Sequence, residues 1–122
     1  MHELSIAESL IEMAESTATD AGASGITSLH LRLGAISGVV PDALYFCFDI
    51  AAKGTLAEGA TLEIERLPVI VYCPACKEEV TLPNTQRFRC PRCDTPTPQI
   101  VQGREMQLVS LQVPDDSDGD ER

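Results

Sequence analysis

Four of the five cysteines stand as two pairs, Cys73-Pro-Ala-Cys76 and Cys90-Pro-Arg-Cys93, with thirteen residues between them. Each Cys-x-x-Cys turn offers two thiolates to one side of an ion, and two such turns complete a tetrahedron. Zn²⁺ takes four thiolates in this way at roughly 2.3 Å. The intervening loop is slightly shorter than the commonest spacing for such sites. Two disulfides fit less well, because no signal peptide precedes the folded chain and the fifth cysteine, Cys47, sits in an apolar helical stretch. A redox Cys-x-x-Cys needs only one pair, opening a helix after a strand. Iron in a rubredoxin-like site uses the same four thiolates and stays open. Four sulfur ligands close the coordination sphere and leave no position for an activated water, so the ion expected here is structural.

A second group with ligand chemistry lies at the chain start, Met1-His2-Glu3. A large side chain at position 2 blocks removal of the initiator methionine, so the histidine stays second. The Met1 amine, the deprotonated His2 amide and the His2 imidazole form two fused chelate rings around one ion. Glu3 adds a fourth ligand through its carboxylate or its backbone nitrogen. Planar, nitrogen-rich ligation suits Ni(II) or Cu(II) and not tetrahedral zinc. The amine must lose a proton first, so affinity rises with pH. From these three residues alone, a chance histidine and a glutamate that offsets the helix dipole are competing explanations.

The elements that must position both groups follow from periodicity. Leu4, Ala7, Leu10, Ile11, Ala14 and Ala18 recur at helical spacing, with Glu8, Glu12 and Glu15 opposite, predicting a helix over 4–19 that stops at Gly22 and Gly25. Ile26 to Ile36 alternates, with Leu29, Leu31 and Leu33 on one side, and reads as a half-buried strand. Pro41 opens a second helix that ends before Gly54. A second strand runs from Ala60 to Ile64, its phase broken near Arg66-Leu67-Pro68, and a third spans 104–113. The expected class is α+β: a small mixed three-stranded sheet with two helices, formed by 1–69 and 104–114, plus an inserted four-cysteine zinc-ribbon-like lobe, 70–103. Strands one and two, joined through a helix, are expected to be parallel, and the strands flanking the insertion to be antiparallel neighbours. The acidic end, 115–122, reads as disordered.

Charge narrows the function. The 122 residues carry a formal charge of −10 with 43% hydrophobic residues, so a folded chain is expected and phosphate-rich nucleic acid would repel it. Lys77, Arg87, Arg89 and Arg92 read as solvated charges beside an anionic tetrathiolate centre. No apolar run reaches the roughly 20 residues of a membrane span. The expectation is a soluble cytoplasmic protein. His30 on the polar side of a strand reads as exposed, and Cys47 as a buried apolar side chain.

The segments Met1-His-Glu-Leu-Ser-Ile-Ala-Glu-Ser-Leu10, Gly34-Ala-Ile-Ser-Gly38, Gly54-Thr-Leu-Ala-Glu-Gly-Ala60, the four cysteines and Gly103-Arg-Glu105 together resemble the HypA/HybF family over residues 1 to about 113. These are the nickel-insertion accessory proteins of [NiFe]-hydrogenase maturation. The resemblance implies nickel at the amino terminus of Met1, His2 and possibly Glu3, and zinc at Cys73, Cys76, Cys90 and Cys93. It implies as partners the maturation GTPase HypB and the hydrogenase large-subunit precursor, and in some members urease maturation proteins. Asp94 departs from the pattern, which has Gly after the last cysteine; the change bears on the turn more than on the ligands. No Ser–His–Asp set, phosphate-cradling glycine loop or fixed carboxylate pair is present, so the chain reads as a non-enzymatic metallochaperone, monomeric or weakly dimeric. The alternative is an adaptor whose zinc lobe docks maturation partners without metal transfer.

Overall fold

The computed structural model describes residues 2–114; Met1 and residues 115–122 lie outside these, and with them the reading of a disordered tail. In chain order the elements are α1 (Glu3–Asp20), β1 (Ser28–Gly34), α2 (Pro41–Ala52), β2 (Thr61–Leu67), β3 (Ile70–Cys73), β4 (Glu78–Thr81), β5 (Gln99–Gln102) and β6 (Met106–Gln112).

Helix α1 buries Ala7, Leu10, Ile11, Ala14 and Ala18 on one stripe, and the three alanines let another element approach its backbone closely. Gly22, at φ +78°, ends it. The Ala23 N–H reaches back to Ala18 O and the Gly22 N–H to Thr19 O, both at 2.9 Å. This is the paired bond pattern of a Schellman cap, which needs a residue tolerant of the left-handed region. Helix α2 starts with Pro41 at its first turn and buries Leu44, Phe48 and Ala52.

The long strands form one sheet in the order β2-β1-β6. At one end the Thr61 N–H donates to Thr27 O, and at the other the Ala35 N–H donates to Leu67 O, so β1 and β2 are parallel. The Thr27 N–H donates to Gln112 O and the Gly34 N–H to Glu105 O, making β1 and β6 antiparallel. The sheet is therefore mixed, with α2 as the parallel crossover. The strands that flank the insertion, β2 and β6, are not neighbours as expected. They lie on opposite edges, because β1 occupies the centre. Its Leu29, Leu31 and Leu33 are 0–2% exposed, and the strand whose inward side chains are buried most completely gains most from a partner on both sides.

Two compact units divide the chain. One comprises Met1–Leu31, Val39–Ile64 and Leu108–Arg122; the other comprises Arg32–Gly38 and Glu65–Gln107. The first has its core in α1, α2 and the inward residues of the sheet, among them Leu10, Leu29, Leu31, Leu44 and Phe48. The second contains a further antiparallel sheet, β4-β3-β5, which periodicity alone does not predict. Its pairing runs from Ile70↔Thr81 to Cys73↔Glu78 on one side, and through Val71↔Ile100 and Tyr72↔Gln99 on the other. Val69, Val71, Val80 and Leu82 form its small core, and two of the cysteines belong to that core.

Two positions in the second unit give clear tests. A Cβ on Gly34 would run into the backbone of Gly103 and Arg104, groups that cannot step aside as a flexible side chain could. Gly34→Ala is therefore expected to cost on the order of 3 kcal/mol in denaturant unfolding. The Thr97 hydroxyl is fully buried and has no hydrogen-bond partner. An orphaned buried polar group costs about 1–3 kcal/mol, so the near-isosteric Thr97→Val is expected to leave thermal stability unchanged or raise it. A clear loss would mean that the hydroxyl has a partner.

Candidate metal sites

The first Cys-x-x-Cys pair is built on a hairpin. Cys73 ends β3, the chain turns through Pro74 and Ala75, and the Lys77 N–H donates to Cys73 O at 2.8 Å. The second pair repeats the turn outside any strand, with the Asp94 N–H donating to Cys90 O at 2.8 Å and the Cys90 N–H to Thr95 O at 2.9 Å. Each pair is followed by a residue in the left-handed region, Lys77 at φ 56° and Asp94 at φ 63°. Asp94 occupies that strained backbone where the HypA/HybF pattern has glycine. Its carboxylate Oδ1 accepts from Arg87 at 2.7 Å and from Arg89 Nε at 3.2 Å, which ties the turn to the loop before it. Arg92 pairs with Glu78 across the two turns. The basic residues of the loop are exposed, as expected, but three of the four are ion-paired.

These turns bring all four sulfur atoms within 4.8 Å of one another. Cys73 and Cys93 are 3.6 Å apart, Cys76 and Cys93 3.7 Å, and Cys76 and Cys90 3.9 Å. Four sulfurs around one ion at roughly 2.3 Å would be roughly 3.8 Å apart at tetrahedral angles, so the group fits a metal ion. It does not fit disulfides, and all five cysteines are free thiols. Backbone N–H groups point at two of the sulfurs, Cys76 N to Cys73 Sγ at 3.3 Å and Arg92 N to Cys90 Sγ at 3.4 Å. Such donors favour the thiolate. Thr95, which no local sequence signal singles out, places its Oγ1 3.2 Å from Cys93 Sγ. Its hydroxyl and backbone hydrogen bonds lower the Cys93 thiol to about 6. Cys76 is pushed up to about 12, first by its hydrogen bond with Cys93 and then by that with Cys73, which keep the proton on its sulfur. A cation bound among the four sulfurs would take the place of those protons, so filling this site releases them.

At the chain start, His2 is the N-cap residue of α1, exposed, with its side chain capping nothing and its carbonyl accepting the Ile6 N–H at 2.9 Å. Glu3 is placed differently from a free ligand. It is 6% exposed, and its Oε2 accepts the Val40 N–H at 3.1 Å, where Val40 is the N-cap residue of α2. The carboxylate thus joins the starts of the two helices. Nothing in the local sequence pattern marks this contact across 37 residues. His30 is half-buried and not isolated. Cys47 is half-buried against the core of the first unit.

Four convergent thiols of this geometry could hold one metal ion, the mark of a metal-binding protein. A family model described as hydrogenase/urease nickel incorporation, metallochaperone, hypA matches residues 1–113. The chain belongs to this HypA family. The hydrogenase maturation factor HypA of Chloroflexus aurantiacus is 56% identical over 114 residues, covering 93% of this chain and 100% of that one. The factor of the same name from Salmonella typhimurium is 34% identical over 118 residues, covering 97% and 100%. The solution structure of the nickel metallochaperone HypA from Helicobacter pylori matches with a TM-score of 0.65 at 27% identity, covering 93% of this chain and 97% of that one. Among the described residues, no helix is long and apolar enough to cross a membrane.

Glu3 gives a prediction with a definite sign. Its carboxyl is lowered from 4.5 to about 2 by hydrogen bonding to the carboxylate, in which the Val40 amide takes part. A depressed carboxylate stabilises the fold above its unfolded value and loses that contribution as pH falls through the folded one. The stability difference between the protein and its Glu3→Gln variant is therefore expected to be constant above about pH 4.5 and to shrink towards about pH 2. A difference independent of pH would contradict the assignment.

Proposed function

We propose that the chain carries Ni(II) at its amino terminus and delivers it to the [NiFe]-hydrogenase large-subunit precursor, while Cys73, Cys76, Cys90 and Cys93 hold a structural zinc ion. What carries the reading is family membership over residues 1–113, together with an exposed histidine at the second position, at the start of a helix. The helix start is chemically apt. The first N–H groups of a helix have no intrahelical acceptor, so the His2 and Glu3 amide nitrogens are available to an ion without breaking a turn of α1. Met1 adds its amine and His2 its imidazole, completing a four-nitrogen set suited to Ni(II). Glu3 takes part through its backbone nitrogen, its carboxylate being committed to Val40.

The positive end of the helix dipole works against a cation here, which favours a site that releases its ion over one that retains it. Zinc supplies shape: its charge lets four close thiolates coexist and closes the small zinc lobe, 70–103. The nickel lobe comprises 1–69 and 104–114. The partners of this function are the GTPase HypB and the hydrogenase precursor, with urease maturation proteins as further clients, in the cytoplasm. It is transfer without catalysis, by a monomer or weak homodimer.

Calorimetry on untagged protein tests the reading. His2→Ala is expected to abolish nickel binding while zinc stays at about one per chain. Undiminished nickel binding by the variant would overturn the site. The native start is essential, because one added residue would move the histidine to third position and build a new chelate.

A further inference from the structure

Charge is divided unevenly between the two units. Among the described residues, the first unit carries nine Asp and Glu against a single cation, Lys53; the second carries seven Lys and Arg against five acids. The negative charge of the first unit includes a groove. Ile11 of α1 and Ala51 of α2 line a cleft of about 230 Å³, whose α1 side presents Glu8, Glu12 and Glu15. Glu15 is already engaged, accepting the Leu56 N–H at 2.9 Å. Among the described residues, Glu8 and Glu12 have no cation partner.

The same helix α2 that lends Ala51 to the groove presents apolar side chains to solvent. Phe46 is 68% exposed and Ile50, one turn further on, 48%. Neither contributes to the core that Leu44, Phe48 and Ala52 form on the other side of the helix. An exposed aromatic with an apolar neighbour one turn on, carried by a helix that lines an acidic groove, is the kind of polar-rimmed apolar surface that marks interaction sites.

We propose that this α1/α2 face docks a basic amphipathic helix of a protein partner, its apolar side on Phe46 and Ile50 and its Lys or Arg residues on Glu8 and Glu12. An amphipathic helix laid in a groove between two others is a recurrent mode of recognition. Electrostatics selects this occupant. A second copy docking through the same face would set Glu8 and Glu12 against their own counterparts, and an anionic lipid surface or a nucleic acid would be repelled in the same way. The face uses neither His2 nor the cysteines, so the proposal stands apart from the nickel reading and can fail without it.

The test titrates zinc-loaded, full-length, ¹⁵N-labelled protein with a synthetic amphipathic leucine–lysine helix, using a scrambled peptide of the same composition as control. Shift changes are expected to be confined to α1 and α2, with binding weakened by added salt. Phe46→Ser, at an exposed position that does not endanger the fold, is expected to weaken binding about tenfold or more. Glu8→Lys with Glu12→Lys is expected to weaken it far more than the charge-matched pair Glu58→Lys with Glu63→Lys. Equal binding of the scrambled peptide, equal effects of the two charge-reversal pairs, or shifts centred on the second unit would overturn the proposal. A Phe46-dependent dimer in sedimentation would also overturn it, by giving the face to a second copy.

Discussion

Repulsion between four close thiolates is the constraint on which the second unit depends. Its apolar core is a handful of side chains, Val69, Val71, Val80 and Leu82 with Ile36, Phe88 and Ile100 packed against them. That is little to fold around, and a lobe of this size generally needs a staple. The cysteines serve both purposes. Cys73 and Cys90 are 0% and 2% exposed and count as core, while Cys76 and Cys93 lie closer to solvent. The N–H groups aimed at sulfur, and Thr95 beside Cys93, prepare the group for an ion.

The first unit solves a different problem with the same economy of means. A helix that begins at Glu3 leaves its first amides without intrahelical acceptors, and the nickel site we propose would draw on these atoms. Glu3 holds that start against α2 through Val40. A carrier site needs its donors preorganised but its ion exchangeable. For the nickel site we propose, a fixed helix start with an exposed histidine would meet both conditions, and the helix dipole would oppose tight retention of a cation.

Much of this is legible in the chain. Helix α1 can be read from alanines and leucines at helical spacing, and α2 from Pro41 and Gly54. The central strand can be read from Leu29, Leu31 and Leu33 alternating with polar residues. The two Cys-x-x-Cys pairs announce a four-sulfur site because ligand identity and spacing are local properties. What is not legible depends on contacts distant in sequence. The order β2-β1-β6 reflects competition for the central position, decided by how much apolar surface each strand buries. The sheet β4-β3-β5 escapes a reading by periodicity because its strands are four residues each, too short for alternation to stand out. Glu3 looks like a dipole-offsetting or metal-binding carboxylate because its partner, Val40, announces nothing. Asp94 is visible as a departure, but its compensation by Arg87 and Arg89 is not.

On the reading we propose, ligand chemistry separates the two ions, sulfur for the resident one and nitrogen for the one passed on. X-ray absorption at the nickel and zinc edges of untagged protein holding both metals tests this most directly. The predicted result is zinc surrounded by four sulfurs at roughly 2.3 Å and nickel surrounded by nitrogen and oxygen with no sulfur neighbour. Sulfur in the nickel shell, with zinc displaced from the cysteines, would contradict it.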